Sequence, residues 1–115
     1  MLPDNPNAPV YALVKERFGG GTTITEAVYS VNTSLFTRIP NNPNRLYWIM
    51  INEGSYDVRI SNRPDTGNVT GWLLSLNGGV ISMDWEEDGE AVCYDIYLIA
   101  VGATSNVRIR EVIRL

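Results

Sequence analysis

The chain has 115 residues, 44% of them hydrophobic and 10% aromatic, with 13 acidic against 9 basic residues for a net charge of −4. This is enough apolar material for one domain; it excludes a wholly disordered chain and lacks the basic footprint of a duplex-binding protein. With no histidine and a single cysteine, Cys93, the sequence also excludes Ser-His-Asp and Cys-His catalysis, His-ligated zinc, CxxC redox chemistry and internal disulfides.

Residues 1–9 hold Pro3, Pro6 and Pro9 separated by polar residues. Proline fixes φ and removes a donor, so this stretch is expected to be extended and outside any sheet interior. The opening MLPDNPNAPV has neither the cationic nor the apolar region of a signal peptide, and no apolar run approaches the roughly 18 residues of a membrane span. Residues 10–18, VYALVKERF, fit a helical turn or a short strand, and Gly19-Gly20-Gly21 ends them with a hinge. Residues 1–21 are therefore expected to form an extended N-terminal arm, with residues 22–115 as the folded domain.

From residue 22 the composition favours strands. Residues 22–39, TTITEAVYSVNTSLFTRI, carry β-branched and aromatic side chains with a break at 32–34. Residues 40–44 are a turn, 45–52 (RLYWIMIN) a strand, and 53–55 a turn. Residues 56–61 alternate cleanly, with Tyr56, Val58 and Ile60 on one side. A polar loop over 62–70 leads to a strand at 71–76, a hairpin turn at Asn77-Gly78-Gly79 and a strand at 80–85. Residues 86–90 turn again and 91–101, AVCYDIYLIAV, read as the longest apolar strand, with Cys93 as a small buried hydrophobe. In the last strand, 106–114, Val107, Ile109 and Ile113 oppose Arg108, Arg110 and Arg114. Turn signals at this spacing predict an all-β fold, an antiparallel β-sandwich or small barrel of about seven to eight strands.

Two of these strands are apolar on both faces. In 45–52 one side carries Leu46, Trp48 and Met50, the other Tyr47, Ile49 and Ile51; in 94–101 Tyr94, Ile96, Leu98 and Ala100 oppose Asp95, Tyr97, Ile99 and Val101. A half-solvated strand alternates apolar with polar, so Tyr47, Ile49, Ile51, Tyr97, Ile99 and Val101 are candidate interface residues. In the arm, Val10, Tyr11, Leu13, Val14 and Phe18 are the candidate anchors on a neighbouring subunit.

Other clusters have plainer readings. Asp84, Glu86, Glu87, Asp88 and Glu90 place five carboxylates in seven residues, but without the spacing of an EF-hand loop they read as a solvated turn rather than a cation site. Tyr56, Trp72, Trp85 and Tyr97, with Asn62, Arg63 and Asp65, offer an aromatic platform for a sugar ring; aromatics on strands more commonly fill cores. The arginine stripe 108, 110, 114 is expected to pair with Asp57 and Asp95 or with an acidic subunit surface. No pair of carboxylates is selected by spacing for glycoside hydrolysis. The fragment Gly19-Gly20-Gly21-Thr22-Thr23 has no lysine and forms no P-loop. No catalytic, metal-binding or cofactor-binding residue is assigned.

Residues 43–112 resemble a type of small virion-associated protein of tailed phages. The frame runs from Pro43-Asn44-Arg45 and Ile51-Asn52 through Tyr56-Asp57-Val58-Arg59-Ile60, Thr66-Gly67-Asn68 and Gly71-Trp72-Leu73-Leu74. It continues with Gly78-Gly79-Val80-Ile81-Ser82, Trp85-Glu86-Glu87-Asp88-Gly89, Ile96-Tyr97-Leu98-Ile99-Ala100, Thr104-Ser105-Asn106-Val107-Arg108 and Glu111-Val112. The resemblance implies a non-enzymatic β-sandwich that binds other virion proteins. The expectation is a capsid decoration or minor head protein, made in the host cytoplasm and located in the virion, forming a homo-oligomer and contacting the major capsid protein. The alternative is a carbohydrate-binding or tail- or neck-associated β-sandwich module. Neither nucleic acid nor membrane is expected as a partner.

Overall fold

The computed structural model describes residues 21–63 and 71–115. Arm residues 1–20, with Val10, Tyr11, Leu13, Val14 and Phe18, lie outside the described residues, as do Asp65 and the rest of 64–70. The described residues form eight strands: β1 Thr22–Val31, β2 Thr37–Ile39, β3 Arg45–Asn52, β4 Val58–Ser61, β5 Trp72–Leu74, β6 Val80–Asp84, β7 Ile96–Ala100 and β8 Ser105–Arg114. One sheet has the order β1-β8-β3-β6 and the other β2-β7-β4-β5, and every neighbouring pair is antiparallel. β1 pairs with β8, β2 with β7, β3 with β6 and β4 with β5, so the chain folds as one long ribbon doubled back on itself and rolled into two layers. This is the double-sheet jelly roll, an all-β sandwich as the sequence predicts.

The rolled topology changes the meaning of two turns. Asn77-Gly78-Gly79 is no hairpin: β5 belongs to one sheet and β6 to the other. Its positive φ at Asn77 (55°) and Gly78 (104°) turns the chain across the edge of the sandwich. Glu53-Gly54-Ser55 likewise carries the chain from β3 to the opposite sheet. Gly54 is there because a Cβ would collide with Ser105 Oγ and the Asn106 backbone nitrogen.

The 91–101 run is shorter as a strand than its composition suggests. Asp84 accepts a hydrogen bond from the Glu87 backbone N–H (2.9 Å) and caps a one-turn helix, α1, Trp85–Asp88. A 3-10 turn, Gly89–Cys93, follows, and β7 begins only at Ile96. An Asp three residues before Glu at a helix start satisfies free N–H groups and favours negative charge in the first turn. Val92, 1% exposed, reaches the core from that turn and not from a strand. Cys93 is half-buried and packs against the core, as a small hydrophobe is expected to, with its thiol directed at the Arg45 carbonyl (3.3 Å).

The core is the space between β3 and β8 on one side and β4 and β7 on the other. Trp48, Met50, Val107 and Ile109 face Val58, Ile60, Leu98 and Ala100, all essentially inaccessible. The Trp48 indole Nε1 is buried without an acceptor, a cost of about 1–3 kcal/mol that the packing of its ring exceeds.

Polar side chains fix both ends of β3. At its start, next to a bulge between Arg45 and Tyr47, the Arg45 side chain is 2% exposed. Its Nε donates to Glu111 Oε2 (2.6 Å), its Nη1 to the carbonyls of Val92 (3.2 Å) and Tyr94 (3.1 Å), and its Nη2 to that of Pro40 (2.7 Å). One guanidinium thus joins β3, β8, the end of β2 and the segment before β7. At the other end Asn52, fully buried, donates from Nδ2 to the carbonyls of Tyr56 (2.7 Å) and Leu74 (3.0 Å). Its Oδ1 accepts from the Gly54 N–H (3.0 Å) and Ser105 Oγ (2.8 Å).

Removing one member of a buried charge pair leaves the other unpaired at a cost of about 3–5 kcal/mol. Arg45→Ala should lower the unfolding free energy by about that amount in urea titrations, and Arg45→Lys should recover only part of it, because an ammonium cannot reproduce the fork.

Candidate assembly surface

The register of the four-stranded sheet β1-β8-β3-β6 decides which side chains point away from the core. Across its outer face the rows run Ile24–Val112–Tyr47–Asp84, Glu26–Arg110–Ile49–Ser82 and Val28–Arg108–Ile51–Val80. Three apolar residues on the outer two strands are open to solvent: Ile24 (64% exposed), Val80 (54%) and Val28 (47%). Tyr47, Ile49 and Ile51 sit half-buried between them. The two-faced reading of 45–52 therefore places its second face on the outside of the sandwich.

A charged cluster crosses this face. Glu26 accepts from Arg110 at Oε1 (Nε 3.1 Å, Nη2 3.0 Å) and from Arg108 at Oε2 (2.8 Å), and Arg108 Nε donates to Glu53 (2.9 Å). Two carboxylates and two guanidiniums make the cluster neutral. Arg108, Arg110 and Glu26 line a hollow with Ile49 and Ile51, and long arginine side chains beside them fit the half-burial of those isoleucines. The hydrogen bonds from Arg110 and then Arg108 hold the Glu26 carboxyl below its ordinary value. Donating to Glu53 and then to Glu26 raises the pKa of Arg108.

The arginine stripe thus has partners other than those expected. Asp95 accepts from Arg38 (3.1 Å) and from the Asn41 N–H (2.6 Å), and Asp57 from the Leu76 N–H (3.0 Å). The partners are glutamates on β1 and after β3, which only the β1–β8 and β3–β8 pairings bring near. On the other sheet, Tyr97, half-buried, stacks edge-to-face with Phe36 (centroids 6.1 Å apart). Ile99 is only 8% exposed and Val101 half-buried, so the outer face of β7 offers little free apolar area.

The expected aromatic platform is dispersed. Trp72, 50% exposed, lies at the edge strand β5. It lines a hollow of about 230 Å³ with Asn62 and Arg63 and, with Ile81, Ser82 and Asp88, a cleft of about 410 Å³. Tyr56 instead faces Gly102, Trp85 lies on α1 against the core, and Tyr97 is on the outer face with Phe36. Asp84 caps α1 and Asp88 accepts from the Asp84 N–H (2.9 Å), so both carboxylates are used within their own turn. Among the described residues no group of three or more acidic or cysteine side chains converges to hold a metal ion, and no helix is long and apolar enough to cross a membrane.

No family model and no curated protein sequence matches the chain. Among solved structures it is similar to a chain from Bacillus endospore appendages, described as a novel family of disulfide-linked pili. The two are 10% identical, with 82% of this chain and 87% of that chain covered and a TM-score of 0.49. It is also similar to dTDP-4-dehydrorhamnose 3,5-epimerase from Bacillus anthracis str. Ames, 13% identical, with 90% of this chain and 60% of that chain covered and a TM-score of 0.30. Neither likeness is strong enough to assign a role. The fold and surface define this chain as a jelly-roll protein whose β1-β8-β3-β6 sheet has a partly apolar outer face.

Because the folded pKa of Glu26 is depressed, its contribution to stability is complete above its unfolded value and is lost as pH falls through the folded one. Glu26→Gln should therefore be less stable than the wild type at neutral pH. The difference should shrink in acid, below the ordinary carboxylate range, and in high salt, as followed by thermal unfolding across pH.

Proposed function

We propose that this chain is a non-enzymatic structural protein of a tailed-phage particle, a capsid decoration or minor head protein. In this reading it is made in the host cytoplasm and resides in the virion. It binds copies of itself and the major capsid protein, through residues 1–21 and through its apolar strand faces. The observation that carries the reading is the outer face of β1-β8-β3-β6, where Ile24, Val28 and Val80 are open to solvent around a neutral ion cluster. Such a face loses little on meeting a partner, since its charges are already paired and its apolar edges gain by being covered. The jelly roll accommodates capsid domains as well as lectins and cupins, so the fold agrees with the reading without selecting it. The sequence frame over 43–112 adds the phage context, and the net charge of −4 favours protein over nucleic-acid partners.

Deleting residues 2–18 should leave the β domain folded by circular dichroism while reducing co-sedimentation with capsids by about tenfold or more. Undiminished attachment would remove the arm from the mechanism.

Trp72 favours one second reading, a carbohydrate-binding module. Its exposed ring stands between two hollows with Asn62, Arg63 and Asp88 at their rims, an apolar face beside polar groups of the kind a pyranose meets. Under the structural reading Trp72→Ala leaves capsid attachment intact and a glycan array stays blank for both proteins. Loss of a glycan signal in the variant would support the module instead.

A further inference from the structure

The jelly roll has four edge strands: β2 and β5 are blunted by length, with three residues each, and β6 has five. The fourth, β1, has ten residues paired without a break to β8 on one side. On its other side no strand lies among the described residues. At about 3.3 Å per residue this free edge is about 33 Å long. An exposed edge invites another strand, and proteins normally guard it with proline, lysine, a bulge or an inward charge. The sequence of β1, TTITEAVYSV, has none of these. Its one charge, Glu26, is held by Arg108 and Arg110, and every residue from Thr22 to Val28 is exposed.

We propose that β1 is a strand-addition surface whose occupant is β1 of a second copy of this chain, paired antiparallel across a twofold axis to make one continuous eight-stranded sheet. Symmetry favours a second copy over a foreign strand, because one isologous contact consumes both free edges and leaves neither exposed. Charge permits it: Glu26 meets its own copy at the dyad, but each carboxylate is held by Arg108 and Arg110 of β8, so the clusters that meet are neutral and these arginines offset the like-charge contact. The side-chain spacing is self-complementary as well. With Glu26 on the dyad, Ile24 of each copy lies opposite the partner's Val28, and these two exposed large apolar residues of β1 cover each other, as cross-strand neighbours do. This deepens the assembly reading by naming the contact through which copies associate.

The test uses the full chain. Light scattering after size exclusion, over a dilution series, should give a dimer. The double substitution Ile24→Lys and Val28→Lys, at side chains already exposed, should keep the circular dichroism spectrum and weaken dimerisation by about tenfold or more. A chain that stays monomeric at every concentration would overturn the proposal, and so would a dimer indifferent to the two lysines. A monomer whose capsid attachment the lysines abolish would also overturn it, assigning the edge to a foreign strand while leaving the phage reading in place. A lysine-sensitive dimer that binds no capsid would uphold the twofold contact and sink that reading instead.

Discussion

The Arg45 guanidinium is the tie on which the sandwich depends. An arginine taken out of water needs an anion and enough acceptors to replace its hydration, and here it finds Glu111 together with the carbonyls of Pro40, Val92 and Tyr94. Those groups belong to segments from both sheets, so the side chain fixes the distance between the layers at one end. Asn52 does the same at the other, spending both amide hydrogens and two lone pairs on the turn after β3, on β5 and on β8. Between these fastenings β3 lies as a rigid central strand, which lets Trp48 and Met50 face inward while Tyr47, Ile49 and Ile51 are held at the surface.

That rigidity shapes the outer face. Its isoleucines share a hollow with the arginines of β8, and those arginines are held by ion pairs, Arg108 between Glu26 and Glu53 and Arg110 to Glu26. Charge and apolar area are interleaved here, not segregated. The arrangement suits a surface soluble by itself yet able to be covered by a partner at small electrostatic cost.

Much of the fold was legible in the residues. Alternation in 106–114 and the two-faced run at 45–52 assigned strands and faces correctly because period-two patterning is local. In 56–61 and 94–101, by contrast, only Val58–Ser61 and Ile96–Ala100 form strands, and Tyr56 leaves the face of Val58 and Ile60. Where the reading failed, the deciding partner was distant. Residues 91–93 are as apolar as a strand, but Asp84 capping Glu87 starts a helix just upstream, a D-x-x-E signal present in the sequence and overlooked. The turn at 77–79 has hairpin chemistry, yet the strands it joins belong to different sheets, which no local signal encodes. Arg45 carried no mark of burial, since its acceptors are mostly backbone carbonyls. The pairing of Arg108 and Arg110 with Glu26 depends on the β1–β8 register, so nearby aspartates were chosen instead. Tyr47, Ile49 and Ile51 were found as surface residues from alternation alone, whereas the concealment of Ile99 needed three-dimensional neighbours.

The nested strand pairing has a consequence for how the chain comes to be folded. Thr22 meets Arg114 and Val31 meets Ser105, so the first sheet cannot close until its last strand has been synthesised. Contacts this remote along the chain carry a large loop-closure cost and form slowly. During translation β1 waits without its partner while the inner strands gather. The nascent protein therefore passes through an interval in which chaperones or premature encounters between growing chains compete with maturation.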